Sequence, residues 1–141
     1  MTELNYSNSA ITYRLYAKFD LQPYLIDVNV AKYRIALSRL RVSAHRLEIE
    51  AGRWHRPVAI ERCDRKCISC NILEDEFHFV LECKMYKELR IQYLKKYYYC
   101  RPNIPTFVEL LTSTNVNVNR NLALFVYKAM ALREKYHVYY G

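Results

Sequence analysis

The sequence predicts a mostly α small helical domain with an embedded Cys/His knuckle, and three observations predict it. Only two glycines, Gly52 and Gly141, stand among 141 residues of which 52% are hydrophobic, which disfavours both disorder and a turn-rich β-sandwich. Apolar residues recur at three- and four-residue intervals through several long stretches, the spacing of a helix face. The run CISCNILEDEFHFVLEC, Cys67 to Cys83, places four ligand-type residues as C-x2-C-x7-H-x4-C. The length sets a single domain, 1–141, with a modest core. Within it, 9–61 reads as a basic helical segment and loop, 62–100 as the knuckle plus a following helix, and 101–141 as a C-terminal helical segment.

Taken in order, Ser9 to Phe19 reads as a short helix with Ile11, Leu15 and Phe19 on one side, and Asp20 to Asp27, which contains Pro23, as a connector. From Asn29 to Ala44 a helix sets Tyr33, Ala36, Leu37, Leu40 and Ala44 on one face. Lys32 and Arg39 border that stripe on one side, Arg34 and Arg41 on the other, while Ile35 and Val42 lie opposite. Such a helix either lays two basic rails along a nucleic-acid backbone or sits in the core with its Arg and Lys stems snorkelling to water.

His45 to Glu50 alternates apolar and polar, which fits a short extended piece, and a loop follows as far as Pro57. Trp54, between Arg53 and Arg56, either stacks on a base or anchors the core. Lys84 to Tyr99 reads as one helix with Tyr86, Leu89, Tyr93 and Tyr97 on a single face, broken by the Arg101–Pro105 stretch. Thr106 is the expected N-cap of the next short helix. NVNVNRN reads as a polar loop whose Asn119 or Asn121 caps a last helix through Leu122, Phe125, Val126, Ala129, Met130 and Leu132. The tail from Tyr136 is expected to fray or to be used in contacts.

Twenty-two Lys and Arg against fourteen Asp and Glu give a net charge of +8. Residues 1–66 hold twelve basic and seven acidic groups and 67–141 hold ten and seven, so the excess is spread along the chain. That balance favours a polyanionic partner, or else a basic surface that is merely solvated. No apolar run follows a basic start, and the longest apolar run, Leu122 to Tyr127, is too short to span a bilayer. Five cysteines, an odd number without a sign of export, favour reduced thiols and metal ligation over disulfides. The expected location is intracellular, nucleus or cytoplasm and not secreted, with no membrane.

Four soft or borderline ligands in a tetrahedron are what zinc takes, and a C-x2-C turn supplies two from one tight loop. Cys67, Cys70, His78 and Cys83 are therefore the expected ligands of a structural Zn2+, a CCHC zinc knuckle whose four protein ligands leave no position for water. His78 and Cys83 are five apart, about 500° of α-helical rotation, so the helix must end or bend near Glu82 and Cys83 must sit at its end. Glu74, Asp75 and Glu76 fall where that helix starts, at its positive dipole end. Cys63 is a possible competing ligand, and Cys100 reads as a buried or free thiol. The rival readings are buried thiols beside a core histidine, and a thiol–disulfide pair, which needs a βαβ setting that is missing before Cys67. No paired carboxylates, nucleophile with base or glycine-rich phosphate loop occurs, so no enzyme activity and no small-molecule substrate are expected.

The string AKYRIALSRLRVSAHRLEIEAGRWHRP, followed by CISC, EDEFHFVLEC and KMYKELR, resembles the C-terminal region of non-LTR (LINE-like) retrotransposon polyproteins, the reverse-transcriptase zinc-binding domain. The likeness spans roughly residues 10–135, and Cys67, Cys70, His78 and Cys83 match the family's ligand positions in type and spacing. It implies a part that binds and positions nucleic acid beside a polymerase, here without the paired catalytic aspartates or an endonuclease segment, as a fragment or stand-alone remnant. RNA or DNA is then the expected partner, with Arg34, Arg39, Arg41, Arg46, Arg53 and Arg56 on phosphates and Trp54 and Tyr98 as stacking candidates. The alternatives are a structural or protein-interaction domain, docking its tyrosine-rich helices and its Ile35–Val42 face onto a polymerase domain or another chain, and an inert retroelement fragment.

Overall fold

Residues 24–140 are described by the structure, a computed structural model, with side chains as far as His137. The expected Ser9–Phe19 helix and the start of the connector lie outside the described residues. The chain runs α1 (Tyr24–Asp27), α2 (Ala31–Arg41), α3 (Glu48–Ala51), a 3-10 turn (Arg62–Asp64), a π turn (His78–Glu82), a second 3-10 turn (Lys84–Tyr86), α4 (Lys87–Tyr93), α5 (Lys96–Tyr99), α6 (Ile104–Leu111) and α7 (Val116–Tyr140). No β-strand occurs among the described residues; an isolated antiparallel bridge joins Lys66 to Leu73.

The spine is α7. Leu122, Ala123, Phe125, Val126 and Ala129 are buried along it at helical spacing, and α1, α2 and α4 lie against it. Leu37 and Leu40 of α2 fill one side of this core, and Phe79, Val80 and Leu81 of the π turn with Tyr86 fill another. Each such side chain contributes about 1.5–3 kcal/mol by leaving water.

Several boundaries differ from the sequence reading. The first basic helix stops at Arg41, not Ala44. Ser43 adopts φ 59, and the Ser43 and Ala44 amides donate to the Leu40 and Arg39 carbonyls, a left-handed Schellman ending that leaves Ala44 outside the buried stripe. His45 to Glu50 is not extended. A strand needs a run of backbone partners, and the facing segment offers one carbonyl, that of Glu74 to the Ile49 amide; the Glu48 amide goes to the Glu74 side chain, and the Glu50 and Ala51 amides pair locally with the Leu47 carbonyl as α3. Leu47 and Ile49 are still both buried.

The predicted helix from Lys84 to Tyr99 is broken at Leu94, whose φ −106 and ψ 146 are extended. The break rotates Leu94 and Tyr98 into the core and Tyr97 out, where its hydroxyl donates to Glu109. Asn103, not Thr106, caps α6: its Oδ1 accepts the Thr106 amide at 2.9 Å, with Pro105 in the first turn, where a missing N–H has no helical partner to lose. Asn115 starts α7 by accepting the Asn117 and Val118 amides, so the asparagine run is helix and not loop. Asn119, buried, donates instead to Asp27 Oδ2 and the Ser113 carbonyl, tying α7 to α1. The tail continues α7 through Tyr140.

Candidate metal centre

The site is built from a tight hairpin and an over-wide helical turn. In the hairpin the Cys67 amide donates to the Ile72 carbonyl (2.7 Å) and the Asn71 amide to the Cys67 carbonyl (2.8 Å). Asn71 takes φ 57, a left-handed conformation that asparagine tolerates better than most residues. The Lys66–Leu73 bridge closes the hairpin behind it. Asp75 Oδ1 then accepts the His78 amide at 2.8 Å and starts the helical segment.

That segment opens into a π turn, where the Cys83 amide donates to the His78 carbonyl at 2.8 Å. The i→i+5 bond returns residue 83 beneath residue 78, which an α-helix cannot do. Cys83, with φ −60 and ψ 125, sits just past the end of the turn, as the spacing demands.

The ligand atoms of Cys67, Cys70, His78 and Cys83 all lie within 4.8 Å of one another, close enough to hold a metal ion. Cys83 Sγ is 3.7 Å from Cys67 Sγ and 3.8 Å from Cys70 Sγ. A tetrahedron with metal–sulfur bonds of about 2.3 Å has an edge of about 3.8 Å. His78 is buried, yet neither ring nitrogen has a hydrogen-bond partner. An orphaned buried donor or acceptor costs about 1–3 kcal/mol, and a metal bond removes that penalty. Nδ1 lies 3.5 Å from Glu82 Oε1, a carboxylate that would steady the ring if the other nitrogen bound a metal. The residues fit a metal.

The same crowding shifts the thiols. Hydrogen bonding from Cys83 pulls the Cys67 thiol well below the usual range, against the opposing effect of burial. Cys83 is pushed up by that bond to Cys67 and by its own burial. For His78, burial opposes protonation, but the Cys67 and Cys70 sulfurs outweigh it and raise the imidazole to about 9. A cation at the centre is what lets all three sulfurs be thiolates together. Cys63 is exposed on the first 3-10 turn and does not belong to the cluster; Cys100, at the end of α5, is an exposed free thiol.

Two of the three acidic residues before His78 do work that the sequence did not reveal. Glu74 and Glu76 are buried, not spread on a solvated helix start. Glu74 pairs with Arg133 of α7. Glu76 accepts from His45 at 2.7 Å and from the Ser43 hydroxyl at 3.3 Å. Because His45 Nδ1 accepts the Leu47 amide, its proton sits on Nε2 and is donated to Glu76. Arg90 of α4 was also missed. It is buried, its Nε donates to the Val80 carbonyl (2.8 Å) and its Nη2 to that of Phe79 (3.3 Å), so it caps carbonyls of the π turn. It has no ion-pair partner among the described residues, and burial lowers its pKa, with the Cys83 and Cys70 sulfurs opposing that shift. Three thiolates around a divalent ion would leave one negative charge, which the Arg90 guanidinium would offset.

The expected nucleic-acid contacts scatter. Arg39 and Arg46 are exposed and, with Lys32, line a groove of about 740 Å³ between α2 and α7 that also touches Ile35, Tyr127 and Met130. Arg34 is half-buried and donates to the Val28 carbonyl. Arg41 is a correction: only 3% exposed, it donates to the Leu111 carbonyl and stacks on Tyr24, so its charge serves the core and not a phosphate. Tyr98 is a second correction, buried at 8% exposure because the break at Leu94 turns it inward. Arg53, Trp54 and Arg56 cluster on the loop after α3, with Trp54 60% exposed and outside the core.

No family model, curated protein or solved structure matches this chain. Among the described residues, no helix is long and apolar enough to cross a membrane.

Proposed function

We propose that this chain is a zinc-stabilised module that binds RNA or DNA through a basic surface, like the reverse-transcriptase zinc-binding region it resembles, and carries no polymerase or endonuclease chemistry. The observation that carries the reading is the convergence of Cys67, Cys70, His78 and Cys83. Three soft sulfurs and one imidazole, tetrahedrally spaced and mostly buried, select zinc over the oxygen-seeking cations, and four protein ligands make the site structural. Bound zinc contributes its binding free energy to folding of the knuckle. The nucleic-acid half rests on charge. Zinc and three thiolates change +8 only to about +7, and Lys32, Arg39 and Arg46 rim one groove. An intracellular location, in nucleus or cytoplasm, goes with this reading.

Metal analysis and cobalt substitution of the reduced protein test the first half: a thiolate–cobalt charge-transfer band, lost in Cys83→Ser, is the expected result. Titration with a structured RNA and a DNA duplex, at about 50 and 200 mM salt, tests the second. Affinity should fall steeply with salt, by a slope that counts neutralised phosphates. A salt-independent affinity sinks the phosphate-binding reading.

A second reading, docking onto a polymerase domain or another protein chain, draws on α2 and its end: Ile35 is 48% and Val42 53% exposed. Self-association of the isolated chain at raised concentration, insensitive to nucleic acid, favours that reading.

A further inference from the structure

The loop of residues 53–60 carries the chain's sole tryptophan in water, with Val58 beyond it 73% exposed. Its neck is built, not loose. The Ile60 amide donates to the Gly52 carbonyl at 2.9 Å and closes the loop. Arg65 spans that closure, donating from Nε to the Ile60 carbonyl (2.9 Å) and from Nη1 to the Ile49 carbonyl (3.0 Å), so one guanidinium grips both sides of the neck.

Its stem crosses Gly52 so closely that a Cβ there would lie 2.6 Å from Arg65 Cγ. Gly52 has φ −64, open to any residue, so the glycine supplies room and not conformational freedom. Arg65 also belongs to the knuckle. Its carbonyl accepts the Glu74 amide at 2.9 Å, next to the Lys66–Leu73 bridge and two residues before Cys67. The metal hairpin and the tryptophan loop therefore share one residue, the first through its main chain and the second through its side chain.

Trp54 carries the Arg53 guanidinium 5.1 Å from its ring centre, and Arg56 reaches back to the Trp54 and His55 carbonyls. An exposed indole with the Arg53 guanidinium against it, itself 4.0 Å from Glu50 Oε2, and with Arg56 on the same loop matches the face of an unpaired base and its phosphate; a duplex hides its base faces. We propose that this loop is a stacking platform for single-stranded nucleic acid, held in place by the metal knuckle through Arg65. It rests on the nucleic-acid reading above and narrows it to unpaired bases.

The test uses the full zinc-loaded chain and the fluorescence of Trp54. An oligo-dT of about fifteen nucleotides, enough for one small binding site, should quench it, and a duplex of equal length should not. Trp54→Ala should weaken oligo-dT binding roughly tenfold to a hundredfold with metal content unchanged. Without nucleic acid, Arg65→Met and Gly52→Ala should each lower Trp54 anisotropy while the cobalt charge-transfer band persists. Oligo-dT binding that leaves Trp54 fluorescence and the Trp54→Ala affinity unmoved overturns the platform and spares the wider basic-surface reading. Failure of both RNA and DNA to bind, at any salt, overturns both. Unchanged anisotropy in both variants overturns the coupling through Arg65.

Discussion

Glu74 and Arg133 meet in a buried two-pronged ion pair across 59 residues of chain, Arg133 Nε donating to Glu74 Oε2 at 3.0 Å and Nη2 to Oε1 at 2.6 Å. Glu74 Oε1 also accepts the Glu48 amide at 2.7 Å, and Arg133 Nη2 lies 3.7 Å from Glu48. The first residue after the metal hairpin is thereby tied to both α3 and the spine α7. Removing one partner leaves a buried charge uncompensated, so Glu74→Gln and Arg133→Met should each destabilise the metal-loaded protein by about 3–5 kcal/mol. Replacing both by packed apolar residues should lose much less than the sum, read as urea midpoints at constant slope.

Arg90 should tune the metal. Arg90→Met removes the donor to two π-turn carbonyls and a buried positive charge that interacts with the Cys83 and Cys70 sulfurs, so zinc affinity should fall about tenfold to a hundredfold in competition with a chelator. Arg90→Lys keeps the charge but not the fork, and should recover only part of the loss. Equal affinity in all three proteins refutes the assignment.

Glu50 makes stability rise on mild acidification. Burial raises its carboxyl pKa above the ordinary 4.5, Arg53 opposes that only partly, and its Oε1 has no partner. The folded state thus holds the proton more tightly than the unfolded chain. Glu50's contribution is fully favourable below 4.5 and is lost as pH rises through the higher folded value. Glu50→Gln should therefore be more stable than the parent at pH 7, with a gap that narrows towards pH 5. Acid also protonates the thiolates and weakens metal binding, so the difference between the two proteins is the quantity to follow.

Arg39 and Arg46 should separate from Arg41. Arg39→Ala and Arg46→Ala should each reduce the salt slope of nucleic-acid binding by about 1 and leave the urea midpoint nearly unchanged. Arg41→Ala should lower the midpoint instead, because its guanidinium satisfies the Leu111 carbonyl and stacks on Tyr24. A slope lost in Arg41→Ala at full stability contradicts this division.

Legibility in the sequence followed the range of the interactions. The ligands Cys67, Cys70, His78 and Cys83 were readable because their spacing over seventeen positions is itself the signal. So was the demand that Cys83 stand at a helix end; that a π turn meets it was not, since a single wide turn is too short to set an apolar period of its own. The α7 core residues Leu122, Phe125, Val126 and Ala129 were read correctly from period alone. The caps were misplaced by a few residues because several Asn and Thr in each stretch can accept an amide, and packing chooses among them.

By itself, then, the sequence determined that the chain is mostly helical, which faces of α2 and α7 turn inward, and which four side chains converge closely enough to hold a metal ion; these depend on neighbours close in the chain. Only the tertiary structure decided which charges are spent inside. Glu74, Glu76, Arg41, Arg90 and Arg133 look in sequence like solvated surface, yet all are buried. For these five, distant segments bring a partner or a set of carbonyls that keeps the charge from water, and that pairing is settled by how the helices pack, not by a local pattern.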